Sequence, residues 1–396
     1  MLDVDAMITD RARGVDASGI RRVFDLAAKL DDPINLSIGQ PDFDVPDNIK
    51  LAATAAIEAG RNSYTQTQGA AELRSAIGRR VATEFPNLAH PDNPAALHDD
   101  LGVLVTSGVS GALLLLALTT LQPGDQCLMP DPGFVMYRHL VTLAGAEAVA
   151  VDTYPDFQLT AARVAPLITN RTKVVMVNSP ANPTGVTSDD DTLRELAGLC
   201  AARGVLLVSD EIYDEFHHAK ATYPHGTYPP SPLRFGAADG TGQLLLRGFS
   251  KTYAMTGWRM GYAVGPLALI EQMTKLQQYT FVCAPSMAQV AGVTALSTDM
   301  SAHVAAYAAK RDRVVERLSP HFNLATPGGA FYAFPEVPPA LSLTATEFVE
   351  RAIARNVLII PGSVFSDRDT HFRLSYACDD TTLDRGLDVL VDLAGG

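Results

Sequence analysis

Cysteine and basic charge are both scarce in this chain. Its 396 residues contain four cysteines, and lysine plus arginine number 31 against 44 aspartates and glutamates, a formal charge of −13. Cys127, Cys200, Cys283 and Cys378 are too far apart for a C-x-x-C pair, which excludes a zinc knuckle and a disulfide framework and leaves buried free thiols. Without a run of lysines and arginines the chain lacks the basic footprint that nucleic acid or an anionic membrane requires. The longest apolar run, Ala112 to Leu118, is far short of the roughly 20 residues of a membrane span. The opening "MLDVDAMITDRARG" puts acids where a secretory signal carries basic residues, so a cytoplasmic location is expected. His217 and His218 are adjacent rather than on one helical face and are expected in a solvated loop, not at a metal. No G-x-G-x-x-G follows a strand-like run, which argues against a nicotinamide cofactor.

What the chain does have is a soluble globular balance, 47% hydrophobic and 19% charged. The length suggests two domains. From about Gly102 to Val264 short apolar runs alternate with helical stretches: "GVLVTS", "QCLMP", "KVVMVNS", "VLLVSDE", "QLLLRGF" and "MGYAVG". Nearly continuous apolar strands separated by helices predict an α/β fold, a mostly parallel sheet covered by helices on both faces. Beyond Ile270 the texture changes to long alanine-rich helices such as "SAHVAAYAAKRDRVVERL", followed by the strand-like "GGAFYAFP", "VLIIPGSVFS" and "HFRLSYA". These predict a smaller α+β domain completed by the first residues of the chain. The expected division is 1–48 with the small domain, 49–284 as the large α/β domain and 285–396 as the small one. "HPDNPAALHDD" and "PPSPLRFGAADGTG" read as turn-rich surface loops.

In a parallel sheet, ligands bind beyond the carboxyl ends of the strands. There Ser107, Gly108, Val109 and Ser110 open a helix whose free N–H groups favour an anion, although small residues also make plain turns. Asn182 sits in a stiff "NPTG" turn that could aim its side chain. Asp210, with Tyr213 after it, ends a buried strand, where a carboxylate is costly unless a cation faces it or it caps the next segment. Lys251 lies among small and apolar neighbours in "GFSKTYAMTGWRMG", and burial disfavours its ammonium and frees a nucleophilic amine. Arg259, just downstream, has a fork that suits a phosphate.

Singly, each of these has a bland alternative; one ligand accounts for all of them together. Pyridoxal 5′-phosphate offers an aldehyde for Lys251, a phosphate for Ser107–Ser110, Ser250 and Arg259, a pyridine nitrogen for Asp210, and a ring hydroxyl for Asn182 and Tyr213.

With these residues in view, the sequence resembles the class I and II aminotransferases, pyridoxal phosphate enzymes of fold type I. The resemblance rests on "NPTG" (Asn182–Gly185), "SDEIY" (Ser209–Tyr213) and "SKTYAMTGWRMG" (Ser250–Gly261). Supporting matches are "GQPDF" (Gly39–Phe43), "YTQTQGAAELR" (Tyr64–Arg74), "PGGAFYAFP" (Pro327–Pro335) and "FRLSYA" (Phe372–Ala377). It implies an internal aldimine at Lys251, with that lysine also moving the proton between the substrate α-carbon and the cofactor C4′. Asp210 would pair with the ring nitrogen, Asn182 and Tyr213 with the ring hydroxyl, and Phe134 would stack on the ring. Gly108, Val109, Ser110, Ser250 and Arg259 would cup the phosphate. Arg373, helped by Asn182 and Gly39, would clamp the substrate carboxylate. Tyr64 would reach the neighbouring active site of a homodimer.

Two departures from the family's pattern stand out. The segment "FSDRDTHFR" (Phe365–Arg373) replaces a glycine-rich turn and alters the expected lid. Where some dicarboxylate-using relatives carry a lysine after the glycine, this chain has Val109 and Ser110, which cannot neutralise a second carboxylate. Neutral aromatic or aliphatic amino acids, with a 2-oxo acid as acceptor, are therefore the expected substrates. An aspartate-type transaminase, a β-eliminating enzyme of the same fold, and a non-catalytic relative are the alternatives. Trp258 is expected to pack beside the site.

Overall fold

Alternate residues of the central strands point to opposite faces, and here both faces are buried. A computed structural model of the chain describes residues 2–15, 19, 30–218, 221–223, 226–236 and 242–395. The main sheet comprises β1 (Leu101–Ser107), β2 (Gln126–Asp131), β3 (Glu147–Asp152), β4 (Thr172–Asn178), β5 (Leu206–Asp210), β6 (Gln243–Gly248) and β7 (Met260–Pro266). Their spatial order is β1–β7–β6–β5–β4–β2–β3. Every neighbouring pair is parallel except those of β7, which runs antiparallel to both β6 and β1.

On one face Leu104, Met129, Val174, Met176, Val208, Leu244 and Leu246 meet the helices Gly108–Thr120, Met136–Leu143 and Leu267–Gln278. On the other, Val175, Val177 and Leu207 meet Asp190–Arg203, while Val103, Val105 and Tyr262 meet Asp47–Glu58, Ala71–Glu84 and Ser286–Ala295. Two-sided burial explains why these strands read as unbroken apolar runs, and each such buried side chain is worth roughly 1.5–3 kcal/mol. The expected α/β sheet is therefore present. Strand β3 went unnoticed in the sequence because "EAVAVD" lies at the sheet edge, where its acidic ends meet solvent. The helix Asp190–Arg203 begins where the Asp189 carboxylate accepts from the Thr192 N–H at 2.8 Å, and it ends at Gly204, whose φ of +62° stops it.

A smaller antiparallel sheet joins β8 (Tyr332–Ala333), β10 (Phe372–Ser375) and β9 (Ile360–Pro361), in that order. Ile34–Asn35 pairs in parallel with Val357–Leu358, so a segment near the start of the chain completes this part. Residues 1, 16–18 and 20–29 of the expected N-terminal segment lie outside the described residues. The helices Ser301–Leu318, Ala345–Ala354 and Asp380–Leu393 cover the small sheet.

Two loop expectations change. "HPDNPAALHDD" is partly a hairpin, because Asn93–Leu97 pairs with Ala89–His90. His217 and His218 are not in a solvated loop: His217 is buried and bridges Gly329, and the His218 N–H donates to the Gly328 carbonyl. Burial lowers the His218 pKa to about 4, so its ring is neutral. In "PPSPLRFGAADGTG" the described part carries a short turn, Pro232–Phe235, capped by Ser231; residues 237–241 lie outside the described residues. Cys127, Cys200 and Cys378 are buried free thiols, and Cys283 is half-buried.

Candidate active site

Strands β1, β2, β4, β5 and β6 end on the same edge of the sheet, and β7, running the other way, starts there. Asn178 and Asp210 are paired across the last residues of β4 and β5. The Asn178 side-chain amide donates to the Asp210 carbonyl at 2.9 Å, and its Oδ1 accepts from the Asn182 N–H at 2.9 Å. This anchors the proline-stiffened turn so that Asn182 Oδ1 accepts from Arg373 Nη1 at 3.0 Å. The other nitrogen of the fork, Nη2, donates to the Ser37 carbonyl at 2.8 Å. Arg373 is buried on β10 between the rings of Tyr332 and Phe365, 4.5 and 4.9 Å from the guanidinium carbon. Its Nε has no partner among the described residues.

A cavity of about 340 Å³ opens along this edge. Of the residues expected from the sequence, Gly39, Val109, Ser110, Phe134, Asn182, Asp210, Tyr213, Ser250, Lys251, Arg259 and Arg373 all line it. The Lys251 ammonium donates to the Gly39 carbonyl. Burial, then the positive charges of Arg373 and Arg259, lower its pKa to about 8. Asp210 is shifted the other way: burial raises its carboxyl to about 6, against hydrogen bonds from Tyr137 at 2.6 Å and the Ile212 N–H at 3.2 Å. A lysine that deprotonates near neutrality and a buried carboxylate in want of a cation now share one cavity.

The rim is shaped for close approach of an anion. Helix Gly108–Thr120 starts without a side-chain cap, so its first N–H groups are open. Gly261 lets β7 come up against that helix start: a Cβ there would lie 2.6 Å from the Val109 nitrogen. Arg259 takes up a left-handed backbone with φ of +55°, uncommon for a side-chain-bearing residue, and turns back over Gly108. Gly108 does not line the cavity, yet a Cβ on it would lie 2.7 Å from the Arg259 guanidinium, so the glycine makes room for that cation.

Behind the site lies an ion cluster that sequence reading missed. Arg247 donates to Glu84 at 2.6 and 2.7 Å and to Glu211 at 2.7 and 3.0 Å, all three fully enclosed. It ties β6, which leads to Lys251, to the residue after Asp210.

Residues 31–390 match the family described as Aminotransferase class I and II. The chain belongs to that family. A relative called "Probable aspartate aminotransferase" from Methanocaldococcus jannaschii is 34% identical over 98% of this chain and 100% of its own length. A "Probable N-acetyl-LL-diaminopimelate aminotransferase" from Bacillus subtilis is 35% identical, over 98% and 95%. Among solved structures, the aspartate aminotransferase from Thermus thermophilus with maleate superposes with a TM-score of 0.88 at 32% identity, covering 98% and 99% of the two chains. The aromatic aminotransferase from Pyrococcus horikoshii gives 0.82 at 31%, covering 93% and 98%. The protein is thus a transaminase of fold type I, and its cofactor is pyridoxal 5′-phosphate. A lysine of lowered pKa, an acid facing it, an open helix start and an unpartnered guanidinium nitrogen fit that cofactor and its substrates.

The cavity also includes Tyr137, Asn178 and Tyr332, which sequence reading did not single out. Asn178 was recoverable, since it closes a strand beside the stretch that ends in Asp210. Tyr137 and Tyr332 were not, because nothing local separates them from core aromatics. Tyr64 stands apart: it is 84% exposed and does not line the cavity of its own chain. Trp258 is half-buried against the core that Asp47–Glu58, Ala71–Glu84 and Ser286–Ala295 form with one face of the sheet.

Proposed function

We propose that this transaminase moves the amino group of a neutral L-amino acid, aromatic or aliphatic, to a 2-oxo acid in two half-reactions. When bound, pyridoxal 5′-phosphate supplies a carbonyl for the lysine amine and a protonated ring that draws electron density from the substrate α-carbon. Lys251 would anchor it and would carry the proton between the substrate α-carbon and C4′. With a pKa near 8 a useful share of this amine is neutral at physiological pH. Asp210 would hold the ring nitrogen in its protonated form, and Phe134 would stack on the ring. Asn182 and Tyr213 address the ring hydroxyl. The N–H groups at Gly108, Val109 and Ser110 hold the phosphate with Ser250 and Arg259. Arg373, already oriented by Asn182 and Ser37, receives the substrate carboxylate, assisted by Gly39.

The observation that carries the substrate class is the wall of the cavity. Among its described residues the only lysines and arginines are Lys251, Arg259 and Arg373, each with a role above, and Ile38, Val109, Leu113, Phe134 and Ile212 supply apolar surface. Among the described residues of this chain, a second carboxylate finds no further lysine or arginine there. The names of the aspartate-type relatives favour a dicarboxylate instead. Rates of bleaching of the cofactor band by phenylalanine, leucine, aspartate and glutamate, without acceptor, separate the two. Neutral donors should lead by at least tenfold in kcat/KM, and aspartate as the best donor would overturn the reading.

The same proposal includes a cytoplasmic homodimer. Tyr64 and Tyr279 stand 84% and 81% exposed, with Leu51, Ile57 and Val282 also exposed. The Gln289 amide, donating to Thr65 at 2.9 Å, holds the chain beside Tyr64 in place. Tyr64 is then free to reach the phosphate in a second copy. Light scattering should give twice the 42.2 kDa chain mass. We place the domain division at 1–48 and 285–396 for the small domain and 49–284 for the large one. Helix Ser286–Ala295 leans on the large domain through Asp47–Glu58.

A further inference from the structure

Tyr332 occupies the junction of groups that the reading above assigns to different ends of the site. It lies on β8, and its pairing with Ser375 sets its ring beside Arg373 on the neighbouring strand. The ring face is 4.5 Å from the Arg373 guanidinium carbon. At the far end of the side chain, its hydroxyl is 3.0 Å from the hydroxyl of Tyr213. The hydroxyl also crowds Gly39: a Cβ at that glycine would stand 3.1 Å away. The Gly39 carbonyl in turn accepts from Lys251. Burial pushes both phenols above their ordinary range, so both keep their protons. Two hydroxyls joined by one hydrogen bond leave one O–H to give to a third group.

We propose that Tyr332 is a positioning residue that couples substrate binding to the cofactor: its ring fixes Arg373, and its hydroxyl turns the O–H of Tyr213 toward the ring oxygen of the cofactor. The inference rests on the site assignment above. A hydroxyl that accepts or donates in a chain polarises the next bond, so losing Tyr332 Oη weakens what Tyr213 gives. The guanidinium is buried, where a ring face is worth more than at the surface. The two halves of the side chain therefore have separable consequences.

The test uses the holoenzyme with Tyr332→Phe, Tyr332→Leu, Tyr213→Phe and the double phenylalanine variant. Each is followed by pH titration of the visible cofactor band and by steady-state kinetics. Tyr332→Phe should raise the midpoint of the band by roughly half a pH unit and lower kcat about fivefold, with KM of the amino donor within twofold. Tyr332→Leu should add about a tenfold rise in that KM. Tyr213→Phe should raise the midpoint at least as far as Tyr332→Phe, and the double variant no further than Tyr213→Phe alone. An unchanged midpoint in Tyr332→Phe, or additive shifts in the double variant, refutes the coupling even should the leucine variant not fold. Equal KM increases in the phenylalanine and leucine variants would make the hydroxyl a substrate contact and also refute it. Loss of the site assignment itself looks different: the parent would show no band that depends on Lys251.

Discussion

Asp210 is a residue at which stability and activity should pull in opposite directions. Burial lifts its carboxyl to about 6 from an ordinary 3.8, and the hydrogen bonds from Tyr137 and the Ile212 N–H recover only part of the loss. Without cofactor, the folded chain therefore keeps a proton at a pH where the unfolded chain has released it. The sign follows: the cost of ionising Asp210 is absent below about pH 4, grows through the window between the two values, and is complete above about pH 6. A difference of about two pH units is worth roughly 3 kcal/mol. Asp210→Asn removes the charge and keeps the shape, and the Tyr137 hydroxyl can still pair with an amide. Cofactor-free Asp210→Asn should accordingly be more stable than the cofactor-free parent at pH 7.5, by up to about 3 kcal/mol in denaturant unfolding followed by circular dichroism. At pH 4.5, below the pI near 5.1, the gap should shrink to about a third. Loaded with cofactor, the order should reverse, because the ring nitrogen loses its counter-charge, and kcat should fall by roughly a hundredfold or more. A cofactor-free variant no more stable than the parent at pH 7.5, or a gap that widens toward acid, refutes this account of Asp210.

Arg247→Met leaves Glu211 buried without the cation it is bonded to and Glu84 with only the more distant Arg234 guanidinium at 3.8 Å; a loss of about 3–5 kcal/mol should appear as a lowered unfolding midpoint even without cofactor. Gly261→Ala places a methyl 2.6 Å from the Val109 nitrogen, forcing the helix start away from Arg259. Titration of the cofactor-free variant with pyridoxal phosphate should show affinity reduced by roughly tenfold or more, about the value of one charge-assisted hydrogen bond. Arg373→Lys keeps the charge but loses the fork, so kcat/KM for the amino donor should drop on the order of a hundredfold, chiefly through KM. An Arg373→Lys enzyme with parental KM would remove Arg373 from the carboxylate clamp.

Local chemistry made much of this protein legible. The two-sided apolar strands announced the parallel sheet, because burial on both faces leaves no room for alternation. "NPTG", "SDEIY" and the stretch around Lys251 named the groups a carbonyl-bearing phosphate cofactor needs, because each sits just past a strand. Three things were not readable at that level. Arg247 carries no local mark of its role, and only the folded chain brings Glu84 and Glu211 to it from distant segments. Nothing in the sequence around Tyr137 and Tyr332 separates them from core aromatics, since what distinguishes them is the position of one hydroxyl. The perturbed acidities of Lys251 and Asp210 are likewise collective: residue type permits them, but burial and the charges of Arg259 and Arg373 produce them. Residue order thus settled which chemical groups are present and which strand each one follows. Long-range packing decided which of them meet, because strands far apart in the chain share one carboxyl edge and the segment carrying Arg373 folds back across it.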